Sequence, residues 1–448
     1  MGALDDGHFN GELENGIRLV CIEVGTEMEP EVVAIEDAVK VLLRGLGEDT
    51  SREGLRNTPL RVAKAFRDGT SGYRQTVKDI IQGALFPEAG PDHSPGRAGG
   101  AGGLVIVRDL NLFSYCESCL LPFKAKCHVG YVPAKHRVLG LSKLFRVAAV
   151  FGKRLQEPQR LAHEVCSALH LAIKPAGVAM VLQCSHIHFP DSIHDRWTKA
   201  TVSSGSGVFQ DKRSDAWADF LGLLRFRGVE ELEQQPNRAW CPSRRSKTPS
   251  VINPEMTSAA SSILQLLGDD PSRDELIGTP ARFVEWLMKF RNLAAETNPN
   301  TNTNLSGLFI NGGRMDLRVW SEVNLPFWSV CEHHLLPFHG VVHVGYFSAA
   351  AEGIGPDGKA VLRSMVRCHG LRLQLQERLT RQIAEAAVVV VGEDVMVAVE
   401  AYHGCMVSRG IEKFGSSTAT VAVLGRFVSD ADARRMFLQS VPRFSSEP

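Results

Sequence analysis

The chain lacks the features that would place it in a membrane, outside the cell or along a nucleic acid. It contains no apolar run of about 18 residues, the length that a membrane-spanning helix needs. Its formal net charge is zero, which argues against a global electrostatic role in nucleic-acid binding. Its 10 cysteines are scattered rather than regularly spaced, which is not typical of a secreted disulfide framework. A glycine-rich dinucleotide fingerprint is also missing.

The first residues offer no targeting signal either. Met1-Gly-Ala-Leu-Asp-Asp is acidic and has neither the basic nor the apolar region of a secretory or transit peptide. The 44% hydrophobic and 22% charged residues are ordinary for a globular protein, and 448 residues predict two or three domains. We therefore expect a cytoplasmic protein with no membrane or nucleic-acid partner.

Two short blocks bring together residue types that bind and use zinc. Cys331-Glu-His333-His334 and the later His403-Gly-Cys405 supply two thiols and three imidazoles. A catalytic zinc usually takes three protein ligands and leaves a fourth position for water. We expect Cys331, His334 and Cys405 to be the ligands, and His333 and His403 to move protons near neutral pH. A purely structural role is disfavoured, because adjacent histidines beside a cysteine fill a core poorly.

The chain is a tandem duplication, because five blocks recur in the same order. In the first copy the blocks begin at Gly47, Thr58, Cys116, His128 and Leu155, and in the second at Gly268, Thr279, Cys331, His343 and Leu373. The segment between the copies is polar, basic and rich in proline, which predicts an exposed linker. We expect one domain at 30–230, a linker at 231–250 and a second domain at 251–442.

Each copy has the same predicted secondary structure. An opening helix is followed by a second helix with a capping box, at Thr50-x-x-Glu53 in one copy and Ser272-x-x-Glu275 in the other. Strands are predicted at 104–107, 123–129, 341–344 and 395–399, and long helices at 154–173 and 371–391. Low-complexity insertions at 90–103 and 297–306 predict mobile loops. The pattern is typical of an α+β fold with helices on one side of an antiparallel sheet.

Four motifs give the chain a family resemblance. They are CEHHxxPF at Cys331, QERLT at Gln376, HGC…RG at His403 and GLSKLxR at Gly140. With them the chain resembles GTP cyclohydrolase I in its two-domain plant-type form. The resemblance implies two tandem tunnelling folds (T-folds) whose sheets assemble into a barrel. It also implies GTP as substrate, formate and 7,8-dihydroneopterin triphosphate as products, a role in folate synthesis, and a homo-oligomer with active sites at its interfaces.

The chemistry of that reaction suits these residues. Hydroxide attacks C8 of the purine only when N7 is protonated, so an acid must lie beside the nucleophile. We expect His403 to be that acid and His333 to be a proton shuttle. Glu377 can accept hydrogen bonds from guanine N1 and the 2-amino group, with Gln376 supporting the base edge. The alternative for Glu377 is a solvated carboxylate on a helix face.

The two copies have lost different parts of this equipment. The first copy keeps residues suited to bind a triphosphate, namely Ser142, Lys143, Arg146, Arg61 and Lys64. Arg409 of the second copy is a further candidate. The first copy has replaced the metal and base residues, with Ser118, Cys119, Gln159 and His188 standing where the second has His333, His334, Glu377 and Cys405. We therefore expect a composite site to which both copies contribute. The alternative for the cations is a solvated helix face.

Three alternatives stay open at this point. Cys116, Cys119 and His188 are again two thiols and an imidazole, and they can hold a structural zinc in the first copy. The chain can be a non-catalytic GTP-binding regulator, although the second copy keeps its full set. It can also be another T-fold purine or pterin enzyme with a cysteine nucleophile and a nicotinamide, which the zinc set and the missing fingerprint oppose.

Overall fold

The fold is that of a computed structural model, which describes residues 29–87, 103–134, 137–187, 197–226, 228–229, 240–244, 253–296, 318–348, 353–409 and 416–442. Repeat one denotes the described part of 29–229, and repeat two that of 253–442. His188 and nearly all of the two predicted mobile loops lie outside the described residues.

Repeat one contains six α-helices and seven strands in its described part. Its helices are α1 Pro30–Gly45, α2 Thr58–Gly69, α3 Val77–Ile81, α4 Leu141–Gly152, α5 Pro158–Ile173 and α6 Asp215–Arg225. Its strands are β1 Leu85–Pro87, β2 Val105–Cys116, β3 Pro122–Val132, β4 Arg137–Leu139, β5 Leu155–Gln156, β6 Gly177–Ile187 and β7 Trp197–Gly207. The main sheet has the order β5-β2-β3-β6-β7.

Repeat two repeats this plan. Its helices are α7 Pro254–Leu266, α8 Thr279–Glu296, α9 Gly355–Gly370, α10 Gln376–Val391, α11 Gly404–Ser408 and α12 Ala431–Ser440. Its strands are β8 Arg318–Cys331, β9 Pro337–Ser348, β10 Leu373–Gln374, β11 Val395–His403 and β12 Thr418–Val423, in the sheet order β10-β8-β9-β11-β12. The matching orders confirm the duplication and the α+β class, and they agree with tandem T-folds.

The four predicted strands are confirmed, and two details of the helices are wrong. The long helices begin later than predicted, because Leu155–Gln156 and Leu373–Gln374 form short strands parallel to β2 and β8. The capping boxes do not start a helix, because Asp49 and Asp270 accept the backbone N–H two residues on and hold a turn instead.

Helices cover both faces of each sheet, so the expected one-sided arrangement is incomplete. The main core includes Val178, Met180 and Leu182 of β6, and the face between them, at Ala179 and Val181, packs with α6. In repeat two, α12 covers the matching face of β11. Alternating strand residues therefore meet two different helical layers.

A repeated β-bulge carries a buried histidine in each sheet. The register shifts between Val107 and Leu110 in one sheet and between Glu322 and Leu325 in the other. Inside each bulge a left-handed residue donates its backbone N–H to an imidazole Nδ1 3.3 Å away, Asp109 to His128 and Asn324 to His343. Burial lowers the pKa of both histidines. We conclude that both imidazoles are neutral acceptors near pH 7.

The two repeats share one hydrophobic core. Helix α1 packs on α7, α1 on α2, and α7 on α8, so the opening helix pairs of the two repeats form one layer. Phe66 of α2 contacts Phe283 of α8 edge to face, with ring centroids 6.5 Å apart. No helix among the described residues is long and apolar enough to cross a membrane.

Candidate active site

The Cys331 block forms a tight turn at the end of β8. The N–H of Cys331 donates to the Leu336 carbonyl over 2.8 Å, and the N–H of Leu335 donates back to the Cys331 carbonyl over 2.9 Å. Leu335 adopts a left-handed conformation with φ of 51°, which costs about 1–3 kcal/mol for a residue with a side chain. Leu120 does the same in repeat one with φ of 59°. The turn therefore holds a fixed, strained shape in both repeats.

The three predicted metal ligands converge. Donor atoms of Cys331, His334 and Cys405 all lie within 4.8 Å of one another. The Cys331 Sγ atom is 4.0 Å from the Cys405 Sγ and 3.9 Å from His334 Nδ1. Tetrahedral zinc with bond lengths of about 2.0–2.3 Å would set such atoms about 3.5–3.8 Å apart. Two sulfurs and one imidazole nitrogen at this spacing fit zinc in chemistry and in distance.

The electrostatics of the cluster favour a bound cation. Hydrogen bonds with Cys405 and with neighbouring imidazoles hold the pKa of Cys331 well below its usual range, despite burial. The pKa of Cys405 is raised well above its usual range, first by the hydrogen bond with Cys331 and then by burial. One thiolate therefore forms readily, and the second needs a positive charge to accompany it.

Gln376 fixes the orientation of His403. Its amide nitrogen donates to the carbonyls of Val399 and Thr418, over 3.1 and 2.8 Å, so its Oε1 must be the acceptor for His403 Nε2, 2.8 Å away. Phe338 stacks on the His403 ring, with the centroids 4.6 Å apart. The His403 Nε2 atom therefore carries a proton. The predicted contact between Gln376 and a purine base stays a prediction, and here the buried amide faces His403.

His333 stands beside the cluster but is not one of its ligands. Its side chain is half-buried. Burial lowers the pKa of His333, the Cys331 thiolate opposes that effect, and the guanidinium of Arg61 adds to it. A neutral imidazole near pH 7 can accept a proton, as the predicted shuttle role requires.

Residues of repeat one clamp the Cys331 turn of repeat two. The carboxylate of Glu332 is fully buried and pairs with Arg378 of its own repeat and with Arg52 of the other, 2.9 Å away. Thr58, the first residue of α2, donates its hydroxyl to the Glu332 carbonyl over 2.8 Å. Gly54 leaves room for this carboxylate, because a Cβ at this position would lie 1.8 Å from Glu332 Oε1 and the Glu332 side chain would have to shift. The opening helices of repeat one therefore cover the metal cluster of repeat two.

Residues of repeat two hold the Cys116 turn of repeat one in the same way. Glu117 pairs with Arg160 of its own repeat and with Arg273 of the other, over 2.5 and 3.1 Å. The hydroxyl of Thr279 donates to the Glu117 carbonyl over 2.6 Å, and the Arg282 Nε atom donates to the Ser118 carbonyl over 2.6 Å. Sequence reasoning treated these threonines and arginines only as repeat markers. Their recurrence with the same spacing in both copies was the available signal.

A cavity of about 380 Å³ lies between the repeats beside the cluster. Phe145 and Ala149 of α4 and the following Lys153 line it from repeat one, and Ser408 and Arg409 line it from repeat two. Further lining comes from Asp68, Gly69 and the β2 residues 111–115. The Arg409 guanidinium also lies 3.3 Å from His334 Nε2. The cavity therefore reaches from α4 to Arg409, whose guanidinium contacts the predicted metal ligand His334.

The predicted phosphate-binding residues of the first copy lie on two helices of repeat one. Ser142, Lys143 and Arg146 lie on α4, the helix whose residues 145 and 149 line the cavity. Arg61 and Lys64 lie on α2, which covers the Cys331 turn. The structure thus places α2 over the Cys331 turn and Arg409 beside His334, while α4 lines the neighbouring cavity. A phosphate contact by these residues stays a prediction.

Glu377 opens onto a different depression. It is exposed in the first turn of α10. It lines a groove of about 400 Å³ with Arg381 and Glu385 of the same helix, with residues 420–423 of β12 and with the following Leu424. Within the described residues, β12 pairs on one side only, with β11. The groove therefore follows an open sheet edge next to the residue that orients His403.

Repeat one has a second cluster of metal-binding side chains. Donor atoms of Cys116, Cys119, His186 and Cys241 lie within 4.8 Å of one another, and all four residues are buried. The sequence-based set named His188, which lies outside the described residues, and it missed His186 and Cys241. The exposed linker is a wrong prediction at Cys241, because this residue packs into the cluster. The proposed boundaries of the domains and of the linker stay a prediction.

Comparisons with known proteins agree with the duplicated architecture. A family model described as GTP cyclohydrolase I matches residues 35–223 and again residues 256–442. The GTP cyclohydrolase 1 of Solanum lycopersicum is 56% identical over 454 residues, covering 99% of this chain and 98% of that protein. That of Arabidopsis thaliana is 55% identical over 455 residues, covering 98% and 97%. The GTP cyclohydrolase 1 of Dictyostelium discoideum is 38% identical over 238 residues, which are 50% of this chain but 97% of that protein.

Proposed function

The chain belongs to the GTP cyclohydrolase I family and is an enzyme of that activity, and from this premise we propose a zinc-dependent mechanism with a composite site. GTP is hydrolysed to formate and 7,8-dihydroneopterin triphosphate at a centre held by Cys331, His334 and Cys405. The observation that carries the proposal is the convergence of these three donors beside two further imidazoles. The product serves folate synthesis, as the plant-type resemblance implies.

Cys331, His334 and Cys405 would hold the zinc ion, and a set of three protein ligands would leave room for a water molecule. When bound, zinc acts as a Lewis acid that makes water nucleophilic near neutral pH. His333 is the base of the site, because its lowered pKa leaves it neutral and able to accept a proton from the attacking water. The contacts of Arg52 and Thr58 with Glu332 hold the turn that carries His333 and His334.

His403 is the proton donor for purine N7. Gln376 holds a proton on Nε2 and fixes the ring plane against Phe338. An oriented imidazole beside the metal cluster can deliver a proton to the base through Nδ1, the ring nitrogen that Gln376 does not bind. Gln376 thereby acts as a positioning residue.

The guanine edge binds at the groove beside Glu377. Its carboxylate can accept hydrogen bonds from N1 and the 2-amino group, which discriminates guanine from adenine. The groove lies along the open edge of β12, so a second chain that adds a strand there would close it. This arrangement supports a homo-oligomer with sites at its interfaces.

The triphosphate binds between the repeats. The cavity joins Arg409 of repeat two to α4 of repeat one, which carries Ser142, Lys143 and Arg146. Arg61 and Lys64 approach from α2 of the same repeat. Repeat two supplies the metal, proton transfer and base recognition, while repeat one supplies the phosphate cations.

A matched pair of double variants tests the composite site. Lys143→Ala with Arg146→Ala in α4 removes two proposed phosphate contacts, each worth about 1.5–3 kcal/mol for a charged hydrogen bond. We expect kcat/KM for GTP to fall by at least 100-fold with zinc content unchanged. The control is Arg363→Ala with Arg367→Ala on α9, the matching helix of repeat two, for which we expect a change within about twofold.

The readouts are formate release and the fluorescence of the oxidised pterin. Equal losses in the two double variants would contradict the composite site, and so would no loss in either. If the Lys143→Ala, Arg146→Ala variant kept the wild-type rate, repeat two would be self-sufficient.

A further inference from the structure

The second cluster has the composition of a closed metal site. Three thiols and one imidazole converge, from Cys116, Cys119, Cys241 and His186, and each residue is at most 2% exposed. The Cys119 Sγ atom lies 3.4 Å from His186 Nε2. Structural zinc sites in proteins are tetrahedral sets of four such ligands, of which three cysteines and one histidine are a common form.

The site reuses the turn geometry of the active centre with different ligands. Cys116 and Cys119 occupy the positions of Cys331 and His334 in the matching turn. His186 faces Phe123 across the sheet as His403 faces Phe338, so it occupies the position of the proposed acid. The fourth donor, Cys241, comes from the segment between the repeats. Repeat one has thus recruited two residues that the active centre does not use as ligands.

The imidazole of His186 is prepared to bind a metal. Its Nδ1–H donates to the carbonyl of Ile187, which leaves the Nε2 lone pair directed at the sulfurs. A hydrogen bond from the second ring nitrogen is the usual way in which proteins orient a metal-binding histidine. Trp240 and Phe123 pack against the imidazole ring, with centroids 5.4 and 6.3 Å away.

Deprotonated cysteines in this cluster would need a cation beside them. The three sulfurs and the imidazole nitrogen lie within 4.8 Å of one another and are closed to solvent. Cysteine binds metals as the thiolate, and buried negative charge is costly without a compensating positive charge. A divalent ion among the four donors would neutralise that charge.

A disulfide is a weaker explanation of the same residues. The cysteines are free thiols in this structure. One disulfide would use two sulfurs and leave the third cysteine and His186 buried without a purpose. An iron–sulfur cluster ordinarily takes four cysteines. Sulfur and nitrogen donors in a closed tetrahedral set favour zinc over magnesium or calcium.

We propose that Cys116, Cys119, His186 and Cys241 hold a second, structural zinc ion, which ties the segment between the repeats to repeat one. Two contacts show what this would anchor. Trp240 packs edge to face on Phe123, and Arg244 donates to the Glu275 carbonyl over 2.9 Å in repeat two. The ion would therefore fix the chain at the point where it passes from one repeat to the other.

Metal analysis of the full-length protein tests this directly. We expect two zinc ions per chain in the wild type and one in Cys119→Ser, with the second ion lost separately in Cys405→Ser. Cys166→Ser is the matched control, because Cys166 is a buried cysteine of the same repeat that bonds the Ser204 carbonyl instead of the cluster. It should keep both ions.

Two further variants separate ligand loss from misfolding. Cys119→His places at this position the residue that the active centre has in the same turn, so it should retain two zinc ions. Cys241→Ser should lose one ion and show a lower thermal midpoint. Replacement of zinc by Co²⁺ in Cys405→Ser should give the absorption bands of a tetrahedral thiolate site, and the added Cys241→Ser change should abolish them.

The outcomes distinguish this site from the active centre. One zinc per chain that Cys119→Ser leaves in place and Cys405→Ser removes would overturn the proposal. A Cys119–Cys241 disulfide found by alkylation and mass spectrometry would overturn it too. One zinc per chain that Cys119→Ser removes and Cys405→Ser leaves in place would support the structural site while contradicting the catalytic one.

Discussion

Each repeat places a helix over the cysteine turn of the other repeat, α2 over the Cys331 turn and α8 over the Cys116 turn. This exchange of helices leads to a prediction about two equivalent threonines. Thr58→Val removes a hydroxyl that donates to the Glu332 carbonyl over 2.8 Å, and Thr279→Val removes one that donates to the Glu117 carbonyl over 2.6 Å. Both residues are fully buried, and valine has nearly the same shape. The two changes are therefore matched in structure but differ in the turn that they release.

The magnitudes follow from the lost hydrogen bonds. Each change leaves a buried carbonyl without this partner, which costs about 1–3 kcal/mol. The cost should be at least as large for Thr279→Val, because Arg282 also donates to that hydroxyl over 3.0 Å. Of the two threonine hydrogen bonds, only the one from Thr58 contacts the turn that carries His333 and His334. Because a displacement of about 1 Å in a catalytic group can cost about 100-fold in rate, we expect kcat to fall 10- to 100-fold in Thr58→Val alone.

The assay compares thermal midpoints with the steady-state release of formate from GTP. The expected result is a similar loss of stability in the two variants and a loss of kcat in one, with activity of Thr279→Val within about twofold of wild type. If both variants lost activity equally, the active centre would not lie under α2 alone. If Thr58→Val kept full activity at reduced stability, the clamp would not position the catalytic turn.

Three other predictions follow from single contacts. Gln376→Leu should lower kcat for GTP about 10- to 100-fold with KM within about twofold, because the residue orients His403; a rise in KM instead would indicate a contact with the base. Arg409→Ala should raise KM for GTP at least tenfold, because the cavity loses its repeat-two cation, and kinetics against GTP concentration would show no such rise if the phosphates bind elsewhere. Because burial lowers the pKa of His128 and His343, their unfolded forms take up protons first as pH falls below about 6.5, and stability should drop by at most about 1.4 kcal/mol per pH unit for each. The double change His128→Gln with His343→Gln should flatten the urea midpoint between pH 7 and 5, and an unchanged slope would contradict this.

Much of the fold was predictable because the same sequence pattern occurs in both halves of the chain. Strands such as 395–399 have alternating or β-branched patterns, and the repeat of five blocks in order indicates two equal units. The convergence of Cys331, His334 and Cys405 was also predictable, because thiols and imidazoles in close motifs have few other uses. The distant Cys405 was assigned by the same reasoning, because the His403-Gly-Cys405 block adds the second thiol and a third imidazole.

The parts that could not be predicted depend on contacts between distant segments. Nothing local in the sequence shows that Thr58 lies over Glu332, 274 positions away. The helix start at 58 was missed because Asp49 competes for the N–H of Ser51 and forms a turn where a capping box was expected. Cys241 was missed because its polar, proline-rich neighbourhood is typical of a linker, and only the tertiary structure brings its thiol to Cys116.

The exchange also explains why the two copies lost different residues. Each chain contains two potential centres, one at the repeat-two turn under α2 and one at the repeat-one turn under α8. Residues that serve only the second centre are the ones that changed. Ser118 and Gln159 belong to its turn and its helix α5, and Glu285 stands on α8 where Lys64 stands on α2. The repeat-one turn thus lacks the predicted catalytic residues, and its two cysteines belong instead to the four-residue cluster. A closed site of that kind needs four ligands and no open position.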